Sequence, residues 1–121
     1  MPKLLIVEDE PVLREMYAQV FAEEGISVVS AESAEEGLLM AEQENPDLVM
    51  LDILLPNIDG LQMLEQLRRN PKIAKTRVVA FSNYDDKSAR EKAAGLGALD
   101  YLIKTDYTPQ EIVEKIKSYI V

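Results

Sequence analysis

The 121-residue chain contains no cysteine and no histidine. Without cysteine it has neither a disulfide framework nor thiolate metal ligands, which fits a reducing cytosol. Without histidine it lacks the commonest general base and transition-metal ligand, and it cannot carry a phosphohistidine itself. Positive charge is scarce, with 13 Lys plus Arg against 22 Asp plus Glu and a formal net charge of −9, so a nucleic-acid backbone is repelled on average. The apolar runs are short and interrupted, which excludes a bilayer-spanning segment. Met1-Pro2-Lys3 leads straight into one of them, so no signal peptide is expected. What remains is an ordinary globular composition, 47% hydrophobic and 29% charged. We expect one domain over residues 1–121, cytoplasmic, without membrane insertion or direct nucleic-acid binding.

The pattern is strand then helix, five times. The first strand is Leu4 to Val7, closed by Glu8-Asp9. Pro11 suits the first turn of a helix whose Leu13, Met16, Tyr17, Val20 and Phe21 fall at helical spacing until Gly25. Ile26 to Ala31 reads as a more polar strand, and Ser33 with Glu36 as a capping box for a helix ending at Asn45-Pro46. Leu48 to Asp52 is the third strand, followed by a helix over Asp59 to Arg69 with Leu61, Leu64 and Leu67 on one face. Val78 to Phe81 is the fourth strand, ending at Ser82; the helix after it, Asp86 to Ala94, has mostly alanines on its apolar face, so its anchorage should be weak. Leu99 to Ile103 is the fifth strand, ending at Lys104. Thr108-Pro109-Gln110-Glu111 then starts a helix striped by Ile112, Val113, Ile116 and Ile120.

Strict alternation argues an α/β fold, a doubly wound five-stranded parallel sheet with helices on both faces. Placing the polar second and fifth strands at the edges and the apolar first and third at the centre gives the order 2-1-3-4-5, a common doubly wound arrangement. Ligands bind such sheets outside the carboxyl ends of the strands where the order reverses, here between the first and third. Glu8, Asp9 and Asp52 end those two strands, and Ser82 and Lys104 end the next two.

Three carboxylates gathered there repel one another, so they protonate or gather a cation. An all-oxygen donor set without His or Cys selects Mg²⁺. Lys104 adds a compact positive charge and Ser82 a hydroxyl donor, the groups phosphoryl transfer needs around a carboxylate acceptor. Asp52, the central carboxylate, is the expected acceptor. Each residue has a plainer reading: Asp52 opens a turn, Asp9 caps the first helix, Ser82 is a turn residue, Lys104 is solvated, Tyr101 is a half-buried edge aromatic. Singly these readings win. Jointly they fail, because all the functional groups fall at one sheet edge.

With those residues in view, the sequence resembles the receiver domains of two-component response regulators, of the stand-alone type, over essentially its whole length. The resemblance implies the flavodoxin-like (βα)5 fold. Glu8-Asp9 matches the acidic pair, and Asp52-Ile53-Leu54-Leu55-Pro56-Asn57-Ile58-Asp59-Gly60 matches the phosphoacceptor segment. Ser82 matches the hydroxyl that bonds the phosphoryl group, Tyr101 the switch aromatic and Lys104 the family lysine. Thr105 stands where the family usually has proline, and Asn83 where a small residue is common. The resemblance implies a metal held by Glu8, Asp9, Asp52 and the Leu54 backbone carbonyl. It also implies a histidine kinase or phosphotransfer protein as donor, and a switch through Ser82 and Tyr101 that changes the face of the fourth helix, fifth strand and fifth helix. Output then runs through a downstream protein or effector domain, or through a homodimer on the changed face. Leu54 and Tyr84 lie two residues beyond Asp52 and Ser82, where neither side chain can hold a hydrolytic water as a carboxylate or amide would, so slow self-dephosphorylation is expected.

Such a protein is a phosphoacceptor rather than a turnover enzyme. A Mg²⁺-dependent aspartyl phosphatase would place a second Asp where Leu54 stands, and a flavodoxin-like nucleotide binder would need a Gly/Ser/Thr-rich loop where Glu8-Asp9-Glu10-Pro11 stands. An interaction domain that never phosphorylates would usually lack Asp52 or Lys104.

Overall fold

In a computed structural model that describes residues 2–83 and 85–120, five parallel strands form one sheet in the order β2-β1-β3-β4-β5. The strands are β1 (Lys3–Val7), β2 (Ser27–Ala31), β3 (Leu48–Asp52), β4 (Val78–Ser82) and β5 (Tyr101–Ile103). The helices are α1 (Pro11–Glu23), α2 (Ala34–Glu44), α3 (Gly60–Arg69), α4 (Lys87–Gly95) and α5 (Pro109–Ile120). The expected order is therefore observed, with every residue of β3 and β4 buried and the more polar β2 at an edge.

Local chemistry accounts for the element ends. Ser33 Oγ accepts the Glu36 N–H at 3.1 Å, and Asn45 closes α2 in the left-handed conformation at φ 47°. Thr108 and Glu111 exchange reciprocal bonds at the start of α5, 2.8 and 3.2 Å, as the sequence suggests. Asp59 and Gln62 make a second such box on α3, at 2.9 and 3.0 Å. Two expected strands are shorter. Ile26 falls outside β2 because its N–H bonds the Phe21 carbonyl at the end of α1. Leu99 and Asp100 fall outside β5, although the Leu99 N–H still bonds the Val78 carbonyl at 2.8 Å and the Asp100 carbonyl accepts the Ala80 N–H at 3.0 Å. The Asp100 carboxylate accepts the N–H of Tyr101 at 2.8 Å and the hydroxyl of Tyr119 at 2.7 Å.

Side-chain alternation divides the core into two layers. Leu4, Ile6, Leu48, Met50, Val79, Phe81 and Leu102 face α1 and α5, against Tyr17, Phe21, Ile112, Val113 and Ile116. Leu5, Val7, Val49, Leu51, Val78, Ala80, Tyr101 and Ile103 face α2, α3 and α4, against Met63, Leu64 and Leu67 of α3. The buried side chains of α4 are Ala89 and Ala93, so burial of its apolar surface anchors it less than α3.

Candidate functional site

Register assembles the site. Val7 pairs with Leu51, which sets Glu8 and Asp52 side by side at the ends of β1 and β3. Asp52 pairs with Phe81, and Ser82 with Ile103, so Lys104 leaves β5 one position beyond Ser82. Among the described residues, Glu8, Asp52 and Ser82 are the buried polar or charged side chains, and each lies at or just past the end of a strand. Lys104 Nζ donates to Glu8 Oε1 at 2.6 Å and to Asp52 Oδ2 at 2.9 Å. Asp52 Oδ1 accepts the Leu54 N–H at 3.0 Å. A cavity of about 440 Å³ opens over these groups, lined also by Asp9, Leu54 and Asn83. A Cβ on Gly60 would overlap the Asp52 carbonyl oxygen, so glycine lets α3 begin directly against the strand end.

Crowding sets the electrostatics. Burial pushes the Asp52 carboxyl up to about 7; Lys104 opposes that rise and the neighbouring Glu8 adds to it. Burial would raise Glu8 as well, but the Lys104 ammonium bonded to it, the neighbouring Asp52 carboxyl and the Glu10 N–H together hold it below the usual value. Burial alone would lower Lys104, yet Glu8 and Asp52 hold its ammonium above the ordinary lysine range. Glu8, Asp9 and Asp52 each offer a carboxylate oxygen, and these oxygens lie within 4.8 Å of one another. A cluster of hard oxygen donors this close, with one lysine to offset it, fits a divalent cation.

Asp9 is exposed, and its plainer reading as a helix cap does not hold, since Glu10 occupies the cap position of α1 and no side chain caps it. Ser82 is fully buried and is a hydrogen-bond partner of the Tyr101 side chain. Tyr101 is only 8% exposed, and the Arg90 guanidinium of α4 lies 5.2 Å from its ring centre. Tyr101 is thus a buried link between β4 and α4 rather than an edge aromatic in water. Leu54 projects its side chain outward, 53% exposed. Tyr84 lies outside the described residues. Lys104 and Thr105 enter a 3-10 turn over Lys104–Asp106.

Two neighbours of the site escaped the sequence reading. Arg14 Nη1 donates to the carbonyl of Glu8 at 2.9 Å and to that of Asp9 at 3.4 Å, holding the acidic loop from below. Phe81 presents its ring to the Lys104 ammonium, 4.6 Å from the ring centre. Neither carries a sequence signal: Arg14 reads as an exposed helix residue and Phe81 as core.

Residues 4–117 match the family model described as the response regulator receiver domain. This chain belongs to that family. Among curated relatives, it is 31% identical over 118 residues to the probable transcriptional regulator ycf27 of Porphyridium aerugineum, covering 98% of this chain and 48% of that protein. It is 30% identical over 118 residues to the alkaline phosphatase synthesis transcriptional regulatory protein PhoP of Bacillus subtilis, again 98% of this chain and 48% of that protein. The chain spans about half the length of these curated relatives. A CheY-like receiver domain protein from Methanospirillum hungatei superposes with a TM-score of 0.90 at 28% identity, over 99% of this chain and 94% of that one. The receiver-domain fold and the strand-end carboxylates thus agree from separate directions.

Proposed function

We propose that residues 1–121 act as one receiver unit in which Asp52 accepts a phosphoryl group from the phosphohistidine of a histidine kinase or phosphotransfer protein. A carboxylate oxygen of Asp52 attacks phosphorus, the P–N bond to the donor imidazole breaks, and the imidazole leaves to take a proton from solvent. The observation that carries this reading is the meeting of Glu8, Asp52 and Lys104 at one sheet edge, with the ammonium 2.6 and 2.9 Å from the two carboxylates. Lys104 is placed to offset charge on the transferred group. Glu8, Asp9 and Asp52, with the Leu54 backbone carbonyl, would hold Mg²⁺, which when bound supplies positive charge against the phosphoryl oxygens. The product carries about one more negative charge than the carboxylate and has new acceptor oxygens.

Ser82 is the hydroxyl we assign to the new phosphoryl group. Its present tie to Tyr101, and the contact of Tyr101 with Arg90, give a route by which that change reaches α4. The light anchorage of α4 on Ala89 and Ala93 supports its role as the element that shifts. Output then passes to a downstream protein or effector domain, or through a homodimer formed on the α4–β5–α5 face, in the cytoplasm. The exposed Leu54 offers no group to hold an attacking water, so the acyl phosphate should be lost slowly and Leu54→Asn should lose it faster; equal or slower loss contradicts that assignment.

Intact-mass spectrometry after incubation with acetyl phosphate and Mg²⁺ tests the reading. One added phosphoryl group is expected, absent from Asp52→Asn and from the metal-free control. No addition to the wild-type chain at saturating metal overturns it.

A further inference from the structure

We propose that the ring of Phe81, braced edge-on by Tyr17, aims the Lys104 ammonium at Glu8 and Asp52, which makes Phe81 a positioning residue for phosphoryl transfer. The inference rests on Asp52 being the phosphoacceptor. Alternation along β4 turns Phe81 to the face opposite Ser82, and register sets it beside Asp52. The Lys104 ammonium lies 4.6 Å from its ring centre while bonding Glu8 Oε1 at 2.6 Å and Asp52 Oδ2 at 2.9 Å. The two carboxylates pull on the ammonium, and the negative face of the ring attracts it from a further direction.

Lysine needs such help here. Its charge sits on a flexible four-carbon stem, and a proline after Lys104 would restrict the backbone at its base. Thr105 imposes no such restriction, and the chain turns at once into a 3-10 segment. The ring, by contrast, is fixed. Phe81 is 0% and Tyr17 4% exposed, and their rings meet edge to face at 5.7 Å and 82°. A saturated side chain of similar bulk would fill the same volume without attracting the cation.

The test introduces mono-, di- and trifluorinated phenylalanine at position 81 of the full chain, which drains the ring face of negative potential at nearly constant shape. Two quantities are read beside thermal unfolding: the rate of Asp52 phosphorylation by acetyl phosphate at saturating Mg²⁺, and the order of the Lys104 side chain from ¹³C relaxation without metal. Rate and order should fall stepwise, the rate by about tenfold across the series, while unfolding barely moves. A series flat in both rate and order overturns the inference and leaves the phosphoacceptor reading standing. An unmodified wild-type chain overturns the phosphoacceptor reading instead, and the Lys104 order then decides whether the ring positions the ammonium.

Discussion

Leu48, Val49, Met50 and Leu51 of β3 are fully buried among apolar side chains, and Asp52, the next residue on the same strand, is only 4% exposed among charges. The first four gain from being out of water, at roughly 1.5–3 kcal/mol for a buried aliphatic side chain. Asp52 does not: burial raises its carboxyl, Glu8 crowds it, and Lys104 supplies partial compensation. The lesson lies in the contrast. The interior of the sheet is built for stability, while its carboxyl edge keeps charge where charge is costly, the condition in which a cation or a phosphoryl group finds complementary groups already in place.

The largest effect expected from breaking this comparison is on its apolar side. Leu51→Ala should cost about 2–5 kcal/mol in urea unfolding, because the residue is fully buried between β1 and β4. A cost below about 1 kcal/mol would mean that the core is looser than its burial implies.

On the charged side the sign reverses, and Asp52→Asn should stabilise the metal-free protein. The folded carboxyl titrates at about 7 against an ordinary value of 3.8, so between those values the folded state holds its proton more tightly than the unfolded state. Ionisation of Asp52 therefore removes stability as pH rises through that window and no further above it. The advantage of the Asn variant should grow across the window by on the order of 4 kcal/mol and level off near pH 8. A difference independent of pH would contradict the electrostatic account.

The smallest effect sharpens the boundary between the two regions. Asp59→Ala removes the cap of α3, the helix that starts at Gly60 against the Asp52 carbonyl. A loss of about 1 kcal/mol in unfolding is expected, with the phosphorylation rate little changed, since α3 stays seated through Met63, Leu64 and Leu67. A large loss of rate would show that the cap, rather than the apolar seat, holds the loop after Asp52.

Much of this was legible in the sequence, for definite reasons. Alternating strands and helices with turn residues between them imply a parallel sheet, and the polarity of each strand orders it. Glu8, Asp52, Ser82 and Lys104 were legible because each ends an apolar run, so topology alone brings them to one edge. Whatever depends on side-chain direction across strands distant in sequence was not. Phe81 reads as one more core aromatic until register sets it beside Asp52, and Arg14 shows its purpose only when its guanidinium meets the Glu8 and Asp9 carbonyls. The burial of Tyr101 against Ser82 was hidden likewise, since nothing in a three-residue edge strand says on which side its aromatic lies.

The most direct measurement is chemical trapping of the modified residue. The protein treated with acetyl phosphate and Mg²⁺ is reduced with borohydride, which converts an aspartyl phosphate to homoserine, and then digested and sequenced by mass spectrometry. The account predicts homoserine at position 52 and at no other carboxylate. Trapping at Glu8, Asp9 or elsewhere, with Asp52 intact in a modified protein, would contradict it.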